Sequence, residues 1–196
     1  YDVRGIYSEE IDEEAAYEIG KGFAKMTGAR KVVVGRDMRL GSPALYKGLV
    51  QGLTEQGVDI DDIGLVTVDA LYFATGKYKY DGGIMVTASH NPKEYAGMKF
   101  IGPNFTWIRG AELLEFMEKN PNIIPAERKG SIREIDITKE YIDHILSFVD
   151  VQKIKPLKVV VDAGNGMSGK FVPELAKHLR CEIVPLFFEI DGNFPN

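Results

Sequence analysis

The chain has 196 residues, 44% of them hydrophobic, enough for one sizeable core or two small ones, and nothing in its composition favours disorder. A net charge of -5 and a pI near 5.3, with acids and bases interspersed, leave no basic stripe for a phosphate backbone, so no nucleic-acid partner is expected. No apolar run approaches the roughly 20 residues of a membrane span, so no membrane association is expected; residues 1–10 (YDVRGIYSEE) lack the regions of a signal peptide, and the single Cys181 excludes an internal disulfide and suits a reducing cytoplasm, the expected location.

Helical spacing of Ala15, Ala16, Ile19, Phe23 and Met26 predicts the first helix, with Asp12 as N-cap and Gly28 as stop. A strand follows in KVVVG. Ser42 with Pro43 announces a second helix that carries Leu45, Leu49 and Leu53 inward and ends at Gly57. The stretch VDIDDIGLVTV reads as a strand running into a loop, Asp69 as the cap of a short helix, and GGIMVTAS and GMKFI as further strands. A helix over 109–119 closes this unit, and the poorly periodic, proline-containing NPNIIPAERKGSIREID leads to a boundary near Asp136. Beyond it, Thr138 caps a helix, LKVVVDAGNG is a buried strand entering a glycine turn, GKFVPELAKHL is helical despite Pro173, and EIVPLFF is a strand. The alternation predicts α/β architecture: a three-layer α/β/α domain with a mixed sheet over 1–135, then an incomplete second α/β domain of the same kind over 136–196, as if excised from something longer.

Chemistry concentrates in MVTASHNP, residues 85–92. Strand ends in α/β sheets are where ligands bind, and this one presents the hydroxyl of Ser89, the imidazole of His90 and the amide of Asn91 together. The same residues also make an ordinary turn, because Pro92 biases Asn91 toward extended geometry and Ser and Asn side chains cap nearby backbone groups. Neighbours on an extended chain point to opposite sides, and no G-x-S-x-G elbow surrounds Ser89, so a hydrolase triad with His90 as base is poorly supported.

Other clusters compete. Gly164, Gly166 and Gly169 fit G-x-G-x-x-G between a strand and a helix, with Glu189 beyond, which reads either as a dinucleotide fingerprint or as a turn that lets a helix pack on its strand. The near Walker A ending in Lys170 lacks the Ser or Thr that would reach Mg2+, having Phe171 there. Asp59, Asp61 and Asp62 read as solvated strand-end acids more readily than as metal ligands. Arg36, Asp37 and Arg39 in GRDMR either hold an anion or, more in keeping with their mixed charge, pair internally. His178 and Cys181 have no third ligand in sight.

Six stretches in order, YDVRG (1–5), VGRDMR (34–39), TASHNP (87–92), YAGMKF (95–100), VVVDAGNGMSG (159–169) and DGNFPN (191–196), resemble the α-D-phosphohexomutases, in the phosphomannomutase/phosphoglucomutase branch. The resemblance spans the whole chain and implies the N-terminal portion of a four-domain enzyme that interconverts 1-phospho and 6-phospho hexoses. On that resemblance Ser89 is the phosphoserine, which also lends a phosphate oxygen to Mg2+. Arg4, Lys99 and His90 match the cationic and acid/base positions around it, with Lys99 assigned to proton transfer or charge stabilisation, and Tyr1 and Asn91 look like supporting contacts. A glucose or mannose 1,6-bisphosphate is the implied intermediate and activator, a hexose phosphate the implied substrate. Ala96 departs from the family's usual asparagine, which could loosen the loop carrying Lys99. The family's aspartate-rich metal loop, sugar-reading loop and final phosphate-binding loop fall outside this sequence, so the chain is expected to need the missing C-terminal domains and to be inactive and weak in Mg2+ binding alone. A nucleotide-binding dehydrogenase module and a non-catalytic interaction fragment are the alternative readings.

Overall fold

The computed structural model describes residues 2–196; Tyr1, one of the expected substrate contacts, lies outside the described residues. The chain divides into two compact units, Tyr1–Ile135 and Asp136–Asn196.

The first unit is built on a mixed sheet. Strands β1 (Val3–Ile6), β2 (Lys31–Arg36), β3 (Asp59–Leu65), β4 (Gly82–Val86), β5 (Tyr95–Gly102), β6 (Thr106–Ile108) and β7 (Ile132–Glu134) assemble in the order β1-β5-β4-β2-β3-β7, with β6 hairpinned onto β5. Pairs β2/β4, β2/β3 and β3/β7 are parallel, and β5 is antiparallel to β1, β4 and β6. Helices α1 (Glu13–Thr27), α2 (Ser42–Glu55), α3 (Val68–Lys77) and α4 (Gly110–Lys119) connect them. The β-branched run of β2 is buried on both faces, as parallel central strands are. Val32 and Val34 join Phe23, Leu45, Leu49, Leu53 and Phe100 in one core cluster. Leu71 and Ala74 of α3 are fully buried, and a Cβ on Gly83 of β4 would strike the Thr75 side chain of that helix.

Local signals explain most helix ends. Asp12 Oδ1 accepts from the Ala15 amide at 2.8 Å, and Gly28, at φ 65°, closes α1 by donating to Ala24. Gly48 and Gly52 let α1 and α2 touch backbone to backbone, since a Cβ at either would collide with the Glu13 or Tyr17 carbonyl oxygen. The cap of α3 is Thr67, not Asp69 as expected; Thr67 Oγ1 accepts from Ala70, and Asp69 sits in the first turn, where its charge faces the positive end of the helix.

Two strands escape periodicity. Both β6 and β7 are three residues long, too short for an alternation to register. The segment read as an aperiodic approach to the boundary thus ends in β7, an edge strand latched by charge. Asp59 of β3 accepts from Arg128 Nη2 at 2.8 Å and from the Ser131 hydroxyl at 2.7 Å, while Asp61 accepts from Arg133 Nη2 at 2.8 Å and Tyr80 Oη at 2.5 Å and pairs with Lys31 at 3.0 Å. Asp62 takes Arg36 and Tyr46. Asp61 and Asp62 are therefore not solvated acids: both are buried, each with cationic and phenolic donors, whereas Asp59 keeps 32% of its side-chain surface exposed while holding Arg128 and Ser131.

The second unit contains α5 (Thr138–Leu146), β8 (Lys158–Asp162), α6 (Ser168–Ala176) and β9 (Glu182–Leu186), the two strands parallel. Thr138 is the first helical residue, not the cap; the Asp136 carboxylate, two residues earlier, accepts its amide at 2.9 Å. β8 is not buried as expected. Its burial alternates and Val160 is 61% exposed, because a two-stranded sheet has a face with no layer over it. Among the described residues no helix is long and apolar enough to cross a membrane.

The latch sets a pH dependence. Donation from the Ser131 hydroxyl and amide, then from Arg128, pulls the Asp59 carboxyl from 3.8 to about 2. A carboxyl lowered by folding contributes stability that is complete above its unfolded value and is lost as pH falls through the folded one. Between about pH 4 and pH 2 the native chain should therefore lose stability more steeply than Asp59→Asn. Urea midpoints of both proteins across that window check this, and parallel losses would contradict it.

Candidate functional site

Sequence-expected site residues meet at the C-terminal end of β4. After Val86 the chain leaves the sheet, and a turn closed by the Asn91 amide donating to the Ala88 carbonyl (3.2 Å) carries Ser89 and His90 at its tip. Ser89 stands at φ 58°, the left-handed region, where a non-glycine residue costs roughly 1–2 kcal/mol. Something must hold it there.

The holder is Arg39, 2% exposed. Its Nη1 donates to the carbonyls of Pro92 (2.7 Å) and Tyr95 (3.1 Å), and its Nη2 to those of Ser89 (2.8 Å) and Asn91 (2.5 Å). Asp37 is its counter-ion, 3.4 Å from Nε. That carboxylate also accepts from the Ser42 hydroxyl at 2.6 Å, the Thr87 hydroxyl at 2.6 Å and the Arg39 amide at 3.1 Å. Thr87 Oγ1 in turn accepts the Ser89 amide at 2.8 Å. Burial pulls the Arg39 guanidinium below its ordinary value, opposed by Asp37; a guanidinium starts so high that it stays charged at neutral pH.

GRDMR is therefore an internal brace, and neither Arg39 nor Arg36, which lies 3.2 Å from Asp62 and stacks over Tyr46, faces an anion site. The capping duty that could have explained Ser89 as a plain turn residue belongs to Thr87. Among the described residues the Ser89 hydroxyl has no hydrogen-bond partner, and the residue is exposed. His90 is exposed beside it and makes no hydrogen bond among the described residues, so no triad forms.

A second tier of charge lies behind the turn. Arg4 Nη1 donates to Asn91 Oδ1 at 2.6 Å, and its Nη2 to Asp2 at 2.6 Å; Lys99 Nζ lies 3.0 Å from the same Asp2 oxygen. Burial would raise the Asp2 carboxyl, but donation and charge from Arg4 and Lys99 outweigh it and hold it below the usual range. The structure thus joins Arg4 and Lys99 through Asp2, ties Asn91 to Arg4, and places Ser89 and His90 on the turn that Asn91 ends. Asp2 and Thr87 were not anticipated; both lie inside noticed stretches, YDVRG and TASHNP, but an aspartate beside an arginine carries no spacing signal. Lys99 sits in a strand paired on both sides, and Ala96 is fully buried in the core, so the alanine loosens no loop.

In the second unit, the glycine turn spends its amides internally. Gly164 donates to Asp162 Oδ1, Asn165 to the Phe187 carbonyl and Gly166 to the Ala163 carbonyl, while buried Asn165 donates through its side chain to the Glu189 carbonyl. A pyrophosphate needs those amides, so the dinucleotide reading fails here. A Cβ on Gly169 would collide with the Phe188 carbonyl: its glycine serves close packing. No group of three or more His, Cys, Asp or Glu among the described residues could hold a metal ion, and His178 and Cys181 stay separate, Cys181 reaching only the Lys155 carbonyl.

An α/β/α unit thus carries a clamped serine at a strand end, with Arg4, Asp2 and Lys99 gathered behind its turn. Residues 1–115 match the model described as phosphoglucomutase/phosphomannomutase alpha/beta/alpha domain I, and residues 139–196 that of domain II. The chain belongs to the phosphoglucomutase/phosphomannomutase family. It is 41% identical to a phosphomannomutase of Escherichia coli over all of this chain and 45% of that protein, and 40% identical to a phosphomannomutase/phosphoglucomutase of Pseudomonas aeruginosa over all of this chain and 42% of the relative. A crystal structure of a phosphoglucomutase/phosphomannomutase family protein from Burkholderia thailandensis superposes with a TM-score of 0.88 at 36% identity, covering all of this chain and 44% of that one. The chain thus spans less than half the length of the curated relatives it matches.

Because Arg39 answers four carbonyls with a planar fork that a lysine ammonium lacks, Arg39→Lys is expected to destabilise the first unit by about 3 kcal/mol. Denaturant titration measures the loss, and hydrogen exchange should show the Asn91 and Tyr95 amides opening first. Unchanged stability would show the clamp to be dispensable.

Proposed function

We propose that this chain is the N-terminal portion of a phosphohexomutase that interconverts 1-phospho and 6-phospho hexoses, with Ser89 as the phosphoryl carrier. The observation that carries the reading is the Ser89 hydroxyl itself, exposed and unbonded on a turn whose backbone is held on both sides. The names of the relatives support the reaction class.

In this reading the bond from phosphorus to Ser89 Oγ breaks as the free hydroxyl of the sugar phosphate bonds to phosphorus, and that hydroxyl gives up its proton. The hexose 1,6-bisphosphate then turns round and returns its other phosphoryl group to Ser89. The transferring group is loose and anionic, so catalysis consists mostly of alignment and charge neutralisation. Arg4 and Lys99 supply the positive charge, releasing part of their hold on Asp2 as the phosphoryl group takes its place. Exposed His90 exchanges a proton with the sugar hydroxyl, and Asn91 aligns Arg4. Tyr1 keeps its proposed supporting contact.

Mg2+ would stabilise charge on the transferring group. It needs roughly six oxygens, a serine phosphate gives one, and among the described residues no carboxylate cluster could hold it, so they alone do not fit the ion. The remaining ligands belong to the missing C-terminal part of the parent, and the isolated chain is accordingly proposed not to turn over.

Mass analysis of the parent protein should find one phosphoryl group on the peptide containing Ser89, and Ser89→Ala should lose both that group and activity by several orders of magnitude. Full activity in the alanine variant would sink the proposal.

A further inference from the structure

Beside the turn lies a cleft of about 560 Å3 in the first unit, lined by Asp2, Arg4, Tyr72, Lys99, Trp107 and Arg109 among others. Its charged wall is the cationic tier already described, with Arg109 added. The opposite wall is aromatic. Register places Trp107 of β6 opposite Ile101 of β5, two residues from Lys99 and so on the same face of the sheet. Trp107 is 60% exposed and stands edge-on to the Tyr72 ring of α3 at 4.9 Å and 90°, with Phe105 6.3 Å from both.

This arrangement is maintained against strain. The hairpin tip carries Asn104 at φ 56° and Phe105 at φ 60°, successive left-handed residues in a turn that could hold glycine. A bulky residue there is a true outlier, and such strain collects where geometry serves a ligand. Burial pushes the Tyr72 phenol up to about 12, with Asp2 and Asp69 adding to the effect, so this wall brings no negative charge at neutral pH. Counting lining residues, three cations face one carboxylate, and Arg109 is also held from outside the lining by Glu112, whose Oε1 accepts from its Nε at 2.8 Å.

A cleft with an apolar ring wall and a net positive wall selects an anion that also offers an apolar face. We propose that Trp107, supported by Tyr72, is the platform on which the pyranose ring of a hexose phosphate stacks while a phosphate engages Lys99 and Arg109. The choice of a hexose phosphate rests on the mutase reading; the preference for an anion bearing a ring does not.

Trp107 is the chain's one tryptophan, so its fluorescence reports on the cleft directly. The 196-residue chain is titrated with glucose 1,6-bisphosphate, glucose 6-phosphate, glucose and inorganic phosphate. Both sugar phosphates should give a saturable change, with glucose and inorganic phosphate at least about tenfold weaker. By calorimetry, the surface substitution Trp107→Leu should weaken glucose 1,6-bisphosphate roughly fivefold and Trp107→Tyr should restore most of it. Equal affinity for inorganic phosphate, no saturable response, or no effect of Trp107→Leu would each overturn the platform. Ser89→Ala should leave the fluorescence response intact, which separates the two proposals. A responsive Trp107 with an unphosphorylated, dispensable Ser89 in the parent removes the mutase reading alone, and a phosphorylated Ser89 with an indifferent Trp107 removes the platform alone.

Discussion

One buried guanidinium organises the first unit's site. An irregular loop at a strand end turns several carbonyls inward, and each left without a donor would cost about 1–3 kcal/mol. Arg39 answers four of them with two nitrogens. Its counter-ion Asp37 extends the brace to Ser42 at the start of α2 and to Thr87 at the end of β4. The position of Ser89 is thus set by two strands and a helix, and the loop can keep a left-handed serine that its own sequence does not favour.

The cations of the site divide by exposure. Arg39 is buried and spends both Nη nitrogens on backbone carbonyls, whereas Arg4 and Lys99 retain 25% and 19% of their side-chain surface and share one carboxylate. In the proposed reading, it is this second pair that a phosphoryl group on Ser89 would meet. Asp2 keeps those two side chains extended and gathered in the meantime, so the pair is set in place without a ligand. Scaffold and electrostatics are in this way assigned to different arginines, although both come from short motifs of similar appearance.

Much of this was legible in sequence where a signal is local. Asp12 and Gly28 bracket α1 as read, because caps act within one turn. The alternation of KVVVG, GGIMV and their helices gave the three layers, since burial on both faces demands unbroken apolar strands. Sequence could not show β6 and β7, whose three residues contain no period, nor the arginine partners of Asp59 and Asp61, which lie about 70 positions away along the chain. Val160 misled because a β-branched run reads as buried whether or not a layer covers it. For the candidate site, Ser89, Asn91, Arg4 and Lys99 were singled out by motif, but whether Ser89 capped the turn or stood free was a matter of geometry: Thr87, two residues earlier, carries out the same hydrogen-bonding task.

The β7 latch also bears on the order of assembly. Its contacts close a loop of about 70 residues onto β3, and such non-local pairing forms late because the chain entropy must be spent before the contact returns anything. β2 and β3, separated by one helix, can pair much sooner. As synthesis proceeds from the N-terminus, every other strand of this sheet is already made when Ile132–Glu134 emerges, so the edge that receives it exists beforehand. The aspartates of β3 then act as a template waiting for arginines, and the last strand is drawn in by charge rather than by apolar surface, of which it has little to offer.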